Sequence, residues 1–248
     1  MHQKRVEFPA RSQRLDCRFE VLRHWNRYLP TRREILPLLT GLSLASCAAV
    51  GLPEREAVDE TPLPGSGVVY LFDGLTLPGD TYFTSGTYRI TQMIRARGVR
   101  AQIDYTTDWE EVTERLLRAD PGASKLPIAL FGYSSGAGSA AQMARRLGEN
   151  GILVQTLVVI EAAFTQYVPG NVARAVHLYG SDSLFSFASP IEPAPDFHGS
   201  LENVPLSERL AAGAEFDHWS FSRSEVVHTM VVDELLDSSG VRRRWPPA

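Results

Sequence analysis

From residue 66 onward the chain alternates two hydrophobic patterns: short unbroken apolar runs, and longer stretches in which apolar residues return every three or four positions. The first pattern predicts buried strands and the second amphipathic helices. Val68-Val-Tyr-Leu-Phe72 is a strand, followed by Asp73-Gly74, a Gly/Thr loop, and a helix that turns Ile90, Met93 and Ile94 inward and ends at Gly98. Val99–Ile103 is the next strand. A helix over 108–119 opens on a capping box from Asp108 and Glu111 and buries Trp109, Val112, Leu116 and Leu117. Beyond Leu126 come a strand, a sharp turn and a small-residue helix to Leu147. Strands at Leu153–Ile160, Ala173–Tyr179 and near Leu201–Val204 follow, and a last helix spans Ser224–Leu236. Strands alternating with helices, most of them apolar on both faces, predict an α/β fold whose mainly parallel sheet is covered by helices on each side.

The chain before this region follows neither period. A basic stretch ends in Thr31-Arg-Arg-Glu-Ile-Leu36, an apolar run reaches Ala45, and small residues lead into Cys47. The run is too short for a stable membrane span. The arrangement resembles a bacterial lipoprotein signal, with Leu44-Ala45-Ser46-Cys47 as a lipobox whose cysteine thiol takes the lipid and becomes the mature N-terminus. Arg32-Arg33 also resembles a twin-arginine export motif. An N-terminal helix followed by a buried apolar segment is the alternative. From Ala48 to Gly67 the composition turns to Pro, Glu, Gly and Ser, as a tether requires. The expected organisation is therefore a leader and signal over 1–47, a linker over 48–65 and a catalytic domain over 66–248, in the bacterial envelope and held to a membrane through Cys47.

Composition narrows the function. The chain has 248 residues, 44% of them hydrophobic and 22% charged, enough for one sizeable core. A net charge of −4 gives no sign of a nucleic-acid partner, and Arg242-Arg243-Arg244 is too short to change that. Of the two cysteines, Cys17 would leave with the leader and Cys47 would carry the lipid, so no disulfide is expected. No Cys/His cluster has metal-ligand spacing, and neither a metal nor a cofactor is expected.

The chemistry converges on Gly132-Tyr-Ser-Ser-Gly136, a G-x-S-x-G placed between an apolar strand and a helix. That context makes it a nucleophile elbow, with Ser134 raised on a strained turn and Gly132 and Gly136 sparing side chains where strand and helix crowd together. Ser135 begins the helix, where its amide can face an oxyanion. A serine nucleophile needs an imidazole and an orienting acid. His177 lies inside a strand and His228 on an amphipathic helix, both ordinary places for a core histidine. His218 stands in Glu215-Phe-Asp-His-Trp-Ser-Phe221, a loop after the last strand from which it can reach Ser134, and is the expected base. Two carboxylates end predicted strands, Glu161 and Asp182.

The elbow and the stretch Gly148-Glu-Asn-Gly-Ile-Leu-Val-Gln-Thr-Leu-Val-Val-Ile-Glu161 together resemble the thioesterase branch of the α/β-hydrolases, most fully over 126–162. The resemblance implies a three-layer α/β-hydrolase-like fold and makes Glu161, at the family's Asp position, the triad acid, with Asp182 as the alternative. It places the second oxyanion donor in the loop after the first strand, at Gly74 or Leu75. Asp73 is either part of that loop's function or only a turn former. The short Ala162–Val172 connection implies a small or absent lid, with Leu184, Phe185 and Phe187 near an open pocket. The expected activity is cleavage of a small acyl ester or thioester through acyl-Ser134, against the alternative of a non-catalytic envelope binding or scaffold lipoprotein.

Overall fold

The computed structural model describes residues 67–75, 82–119, 126–180, 190–211, 214, 216–237 and 241. The chain divides after Leu52 into two units, and all described residues lie in the second. The strands are β1 Val68–Phe72, β2 Arg100–Asp104, β3 Ile128–Tyr133, β4 Val154–Ile160, β5 Tyr167–Val168, β6 Val172–Tyr179, β7 Glu192–Pro193 and β8 Ser200–Pro205. The helices are α1 Gly86–Ala96, α2 Trp109–Ala119, α3 Gly136–Glu149 and α4 Glu225–Asp237.

Six strands form one sheet in the order β2-β1-β3-β4-β6-β8, and every pairing in it is parallel. Alternate strand residues feed two cores. Val69, Leu71, Phe131, Val158 and Ile160 pack with Ile90 and Ile94 of α1 and Val227, Val231 and Leu235 of α4. On the opposite face Tyr70, Phe72, Leu130, Leu157 and Val159 pack with Val112 of α2 and Ala140, Met143 and Leu147 of α3. The molecule is thus a three-layer α/β structure around a parallel sheet. Burial on both faces explains why its central strands read as unbroken apolar runs rather than alternating ones.

Two consequences of this topology matter for function. All six carboxyl ends lie along one edge, because the strands are parallel. The chain also places β2 on one side of β1 and β3 on the other, so the strand order reverses between β1 and β3. Loops leaving neighbouring strands diverge at such a point and open a crevice above the sheet.

The structure adds elements absent from the sequence pattern. The Ala162–Val172 connection holds β5, which pairs in parallel with β7 as a separate two-stranded sheet. The segment expected to be a loop around His218 is a 3-10 turn, His218–Arg223, with a capping box in which the Asp217 side chain accepts from the Ser220 amide. Among the described residues no helix is long and apolar enough to cross a membrane.

Candidate active site

Ser134 follows β3 at the crevice between β1 and β3, with φ of 55°, in the left-handed region that non-glycine residues rarely occupy. The turn holds because its surroundings over-determine it. The Ser134 amide donates to Ile160 O at 2.9 Å, and its carbonyl accepts from Ala137 N at 3.2 Å and Ala163 N at 3.3 Å. A side chain at Gly132 would meet Gly136 O and Ala137, and one at Gly136 would run into the Phe72 carbonyl. Both elbow glycines are therefore dictated by space. Ser135 is the N-cap of α3, in helical conformation with φ of −64°, and its hydroxyl accepts from Thr106 Oγ1 at 3.4 Å.

Glu161 ends β4 next door. It too has a left-handed backbone, with φ of 49°. Its amide donates to Leu178 O at 3.1 Å, and one carboxylate oxygen accepts the Gly180 amide. The other oxygen, Oε2, lies 3.4 Å from His218 Nδ1. Both side chains are withdrawn from solvent, Glu161 at 1% and His218 at 7% exposure, so their contact is little screened by water. The separation exceeds a hydrogen bond of 2.7–3.2 Å, as catalytic contacts often do before substrate tightens them. Nδ1 is thus the ring nitrogen that faces the Glu161 carboxylate.

His218 is held from its other side by the residue before the elbow serine. Tyr133 Oη donates to His218 O at 2.6 Å, and the two rings lie 5.1 Å apart. No sequence pattern marks this link, since its partners are 85 positions apart.

The other two candidate histidines are spoken for. His177 is fully buried on β6, where Nε2 accepts from Ala162 N at 3.3 Å and Nδ1 lies 3.0 Å from Asn203 Oδ1. That pairing requires a neutral ring with its proton on Nδ1, and burial lowers its pKa. His228 Nε2 lies 2.6 Å from Phe221 O, and burial lowers its pKa as well.

The loop after β1 distinguishes the two expected donor positions. Gly74 packs against Ser134, its pro-side-chain position 3.1 Å from Ser134 Cβ, but its amide donates to Asp73 Oδ1 at 2.9 Å. Gly74 is therefore not a free oxyanion donor, because its own neighbour's carboxylate occupies that hydrogen. The Leu75 amide is the remaining candidate.

Three large apolar side chains stand exposed on the loops that carry these groups: Leu75 after β1, Phe164 after β4 and Trp219 after His218. A groove of about 490 Å³ lies elsewhere, between α1 and α4, lined by Tyr88, Arg89, Met93, Glu225 and His228. Among the described residues no group of three His, Cys, Asp or Glu side chains is placed to hold a metal. Asp182, Leu184, Phe185, Phe187 and Cys47 lie outside the described residues.

No family model matches the chain. No curated protein matches it in sequence. Among solved structures it is similar to an arylesterase at 13% identity and a TM-score of 0.47, over 90% of this chain and 97% of that one. It is also similar to a cutinase-like protein from Cryptococcus sp., at 15% identity and a TM-score of 0.45, over 71% and 95% respectively. The type II thioesterase YbtT of the yersiniabactin pathway matches at 10% identity and a TM-score of 0.44, over 76% and 98%.

Proposed function

We propose that the chain is a serine hydrolase of the α/β-hydrolase type that cleaves an ester or thioester through an acyl-Ser134 intermediate. The observation that carries this reading is the buried His218–Glu161 pair at 3.4 Å, on the sheet edge where Ser134 stands in a left-handed turn. In the reaction Ser134 Oγ attacks the acyl carbon while His218 Nε2 takes its proton, and Glu161 stabilises the imidazolium. The tetrahedral oxyanion meets the Ser135 amide at the positive end of α3. Its collapse breaks the acyl bond and His218 gives the proton to the leaving alkoxide or thiolate. Water, deprotonated by the same imidazole, then releases the acid and frees Ser134.

Leu75, Phe164 and Trp219 supply an apolar rim that suits an acyl or aryl group, and the short connection after β4 suits a small substrate. The Leu44–Cys47 box adds an envelope location, with Cys47 lipidated. Fluorophosphonate labelling of the full chain, followed by a p-nitrophenyl ester series of increasing acyl length, tests the reading. Labelling at Ser134 with turnover supports it; a folded protein that neither labels nor turns over is a scaffold.

A further inference from the structure

Asp73 is a buried carboxylate, 8% exposed, directly at the carboxyl end of β1 and outside the Ser134–His218–Glu161 constellation. One of its oxygens, Oδ1, accepts twice, from the Gly74 amide at 2.9 Å and from Thr87 Oγ1 at 2.7 Å. Thr87 is wholly buried in the first turn of α1. Its hydroxyl therefore ties the loop after β1 to a helix packed in the core. The Asp73 carbonyl lies on the other side, close enough that a side chain on Gly136 would sit 2.7 Å from it. Asp73 is thus fixed between α1 and the start of α3, one residue from the backbone that touches Ser134.

An oxyanion hole needs an amide whose hydrogen is free and whose direction is set in advance. Gly74 meets the second condition but fails the first. We propose that Asp73 is a positioning residue for the oxyanion hole: by taking the Gly74 amide and the Thr87 hydroxyl on one oxygen, it orients the Gly74–Leu75 peptide so that the Leu75 amide serves as the second donor beside Ser135. The role is that of an acceptor, not of a base. It requires the oxygen, and it does not require the charge. A negative charge near the developing oxyanion is in fact unfavourable, offset here by the positive N-terminal ends of α1 and α3.

This inference rests on the acyl-Ser134 reading, and the experiment separates the two. Asp73→Asn, Asp73→Ala, Thr87→Ser and Thr87→Val are made in the full chain and compared for kcat, KM and inhibition by a trifluoromethyl ketone, which mimics the tetrahedral adduct. Asp73→Asn and Thr87→Ser keep the acceptor and the hydroxyl, and are expected to stay within about threefold of the parent kcat. Asp73→Ala and Thr87→Val are expected to lose roughly 10- to 100-fold in kcat and a similar factor in ketone affinity, with KM little changed, a part of the 10²–10³ that deleting a donor outright costs. A role limited to folding would move the melting temperature and leave the ratio of ketone to substrate affinity unchanged, and that result overturns the proposal. Loss of activity in Asp73→Asn equal to that in Asp73→Ala overturns it too, because it would make the ionised carboxylate itself the working group. Failure of the parent protein to label at Ser134 instead overturns the hydrolase reading beneath it.

Discussion

At the scale of single residues, the site stands out because two side chains with a Cβ, Ser134 and Glu161, hold left-handed backbones. Each such residue costs on the order of 1–3 kcal/mol and persists only where its surroundings impose it. Ser134 was legible in sequence because glycines at fixed offsets and a strand-to-helix change surround it. Glu161 was legible as the end of an apolar run, but its contact with His218 depends on how β4 and the turn after β8 meet in space. The long-range partners of Asp73 and Tyr133 were not legible: a turn-forming Asp-Gly pair and a variable position in the elbow motif carry no mark of Thr87 and His218 O. Two outcomes test the roles. Ser134→Ala is expected to abolish probe labelling in a protein that melts normally, whereas Ser135→Ala, whose backbone amide survives, loses little; equal labelling of Ser134→Ala would remove the nucleophile assignment. Glu161→Gln is expected to lower kcat by about 10⁴, the scale of converting a triad carboxylate to an amide, and Asp182→Asn by far less. The opposite ranking moves the acid to Asp182.

Elements position these residues through close backbone approach and a buried polar chain. Strand and helix periods were readable because β1, β3 and β4 are buried on both faces and α1 to α4 on one. The β5–β7 pair was not readable, since strands of two residues have no period, and the 3-10 turn at His218 was hidden because its Asp217–Ser220 capping box sits among aromatic and acidic residues that read as a loop. The closest approach is between α3 and β1, where Gly136 faces the Phe72 and Asp73 carbonyls. Gly136→Ala must displace backbone on one side, and a loss of about 1–3 kcal/mol is expected. Calorimetry would register this as roughly 2–4 °C of melting temperature per kcal/mol. A second element-scale device is the chain Ala162 N–H to His177 Nε2, and His177 Nδ1–H to Asn203 Oδ1, which pins the residue after Glu161 to β6 and β8. Burial holds the native pKa of His177 below 6.5, as it does for His228. The sign follows: above about pH 6.5 both rings are neutral folded and unfolded, and their stabilisation is complete. As pH falls below ~6.5 the unfolded chain takes up protons that the native state refuses, so stability drops by up to about 1.4 kcal/mol per pH unit for each group until the native pKa is reached. His177→Gln removes one of the two, and the fall in melting temperature between pH 7 and 5 should become shallower. An unchanged slope would mean that His177 is not the proton-refusing group.

At the scale of the whole molecule, the parallel sheet gathers Ser134, Glu161 and His218 at one edge, and at the opposite end of β1 Gly67 N donates to Val241 O. A domain of about 180 residues is ~40 Å across, and the linker expected over residues 48–65, at ~3.4 Å per residue, has a contour of about 60 Å. Their Pro, Glu, Gly and Ser content is what makes a tether the expectation there. If Cys47 carries the lipid, the catalytic edge owes nothing to the anchor. Cys47→Ser should move the protein from the membrane to the soluble fraction while kcat/KM on a water-soluble p-nitrophenyl ester stays within about twofold, since no residue that contacts the reacting atoms has changed. Fractionation and the ester assay, run on the same preparation, read the two halves independently. Continued membrane association of Cys47→Ser would remove lipidation at that position, whereas release accompanied by a large loss of activity on the soluble ester would show that anchor and site are coupled and that the tether reading of residues 48–65 is wrong.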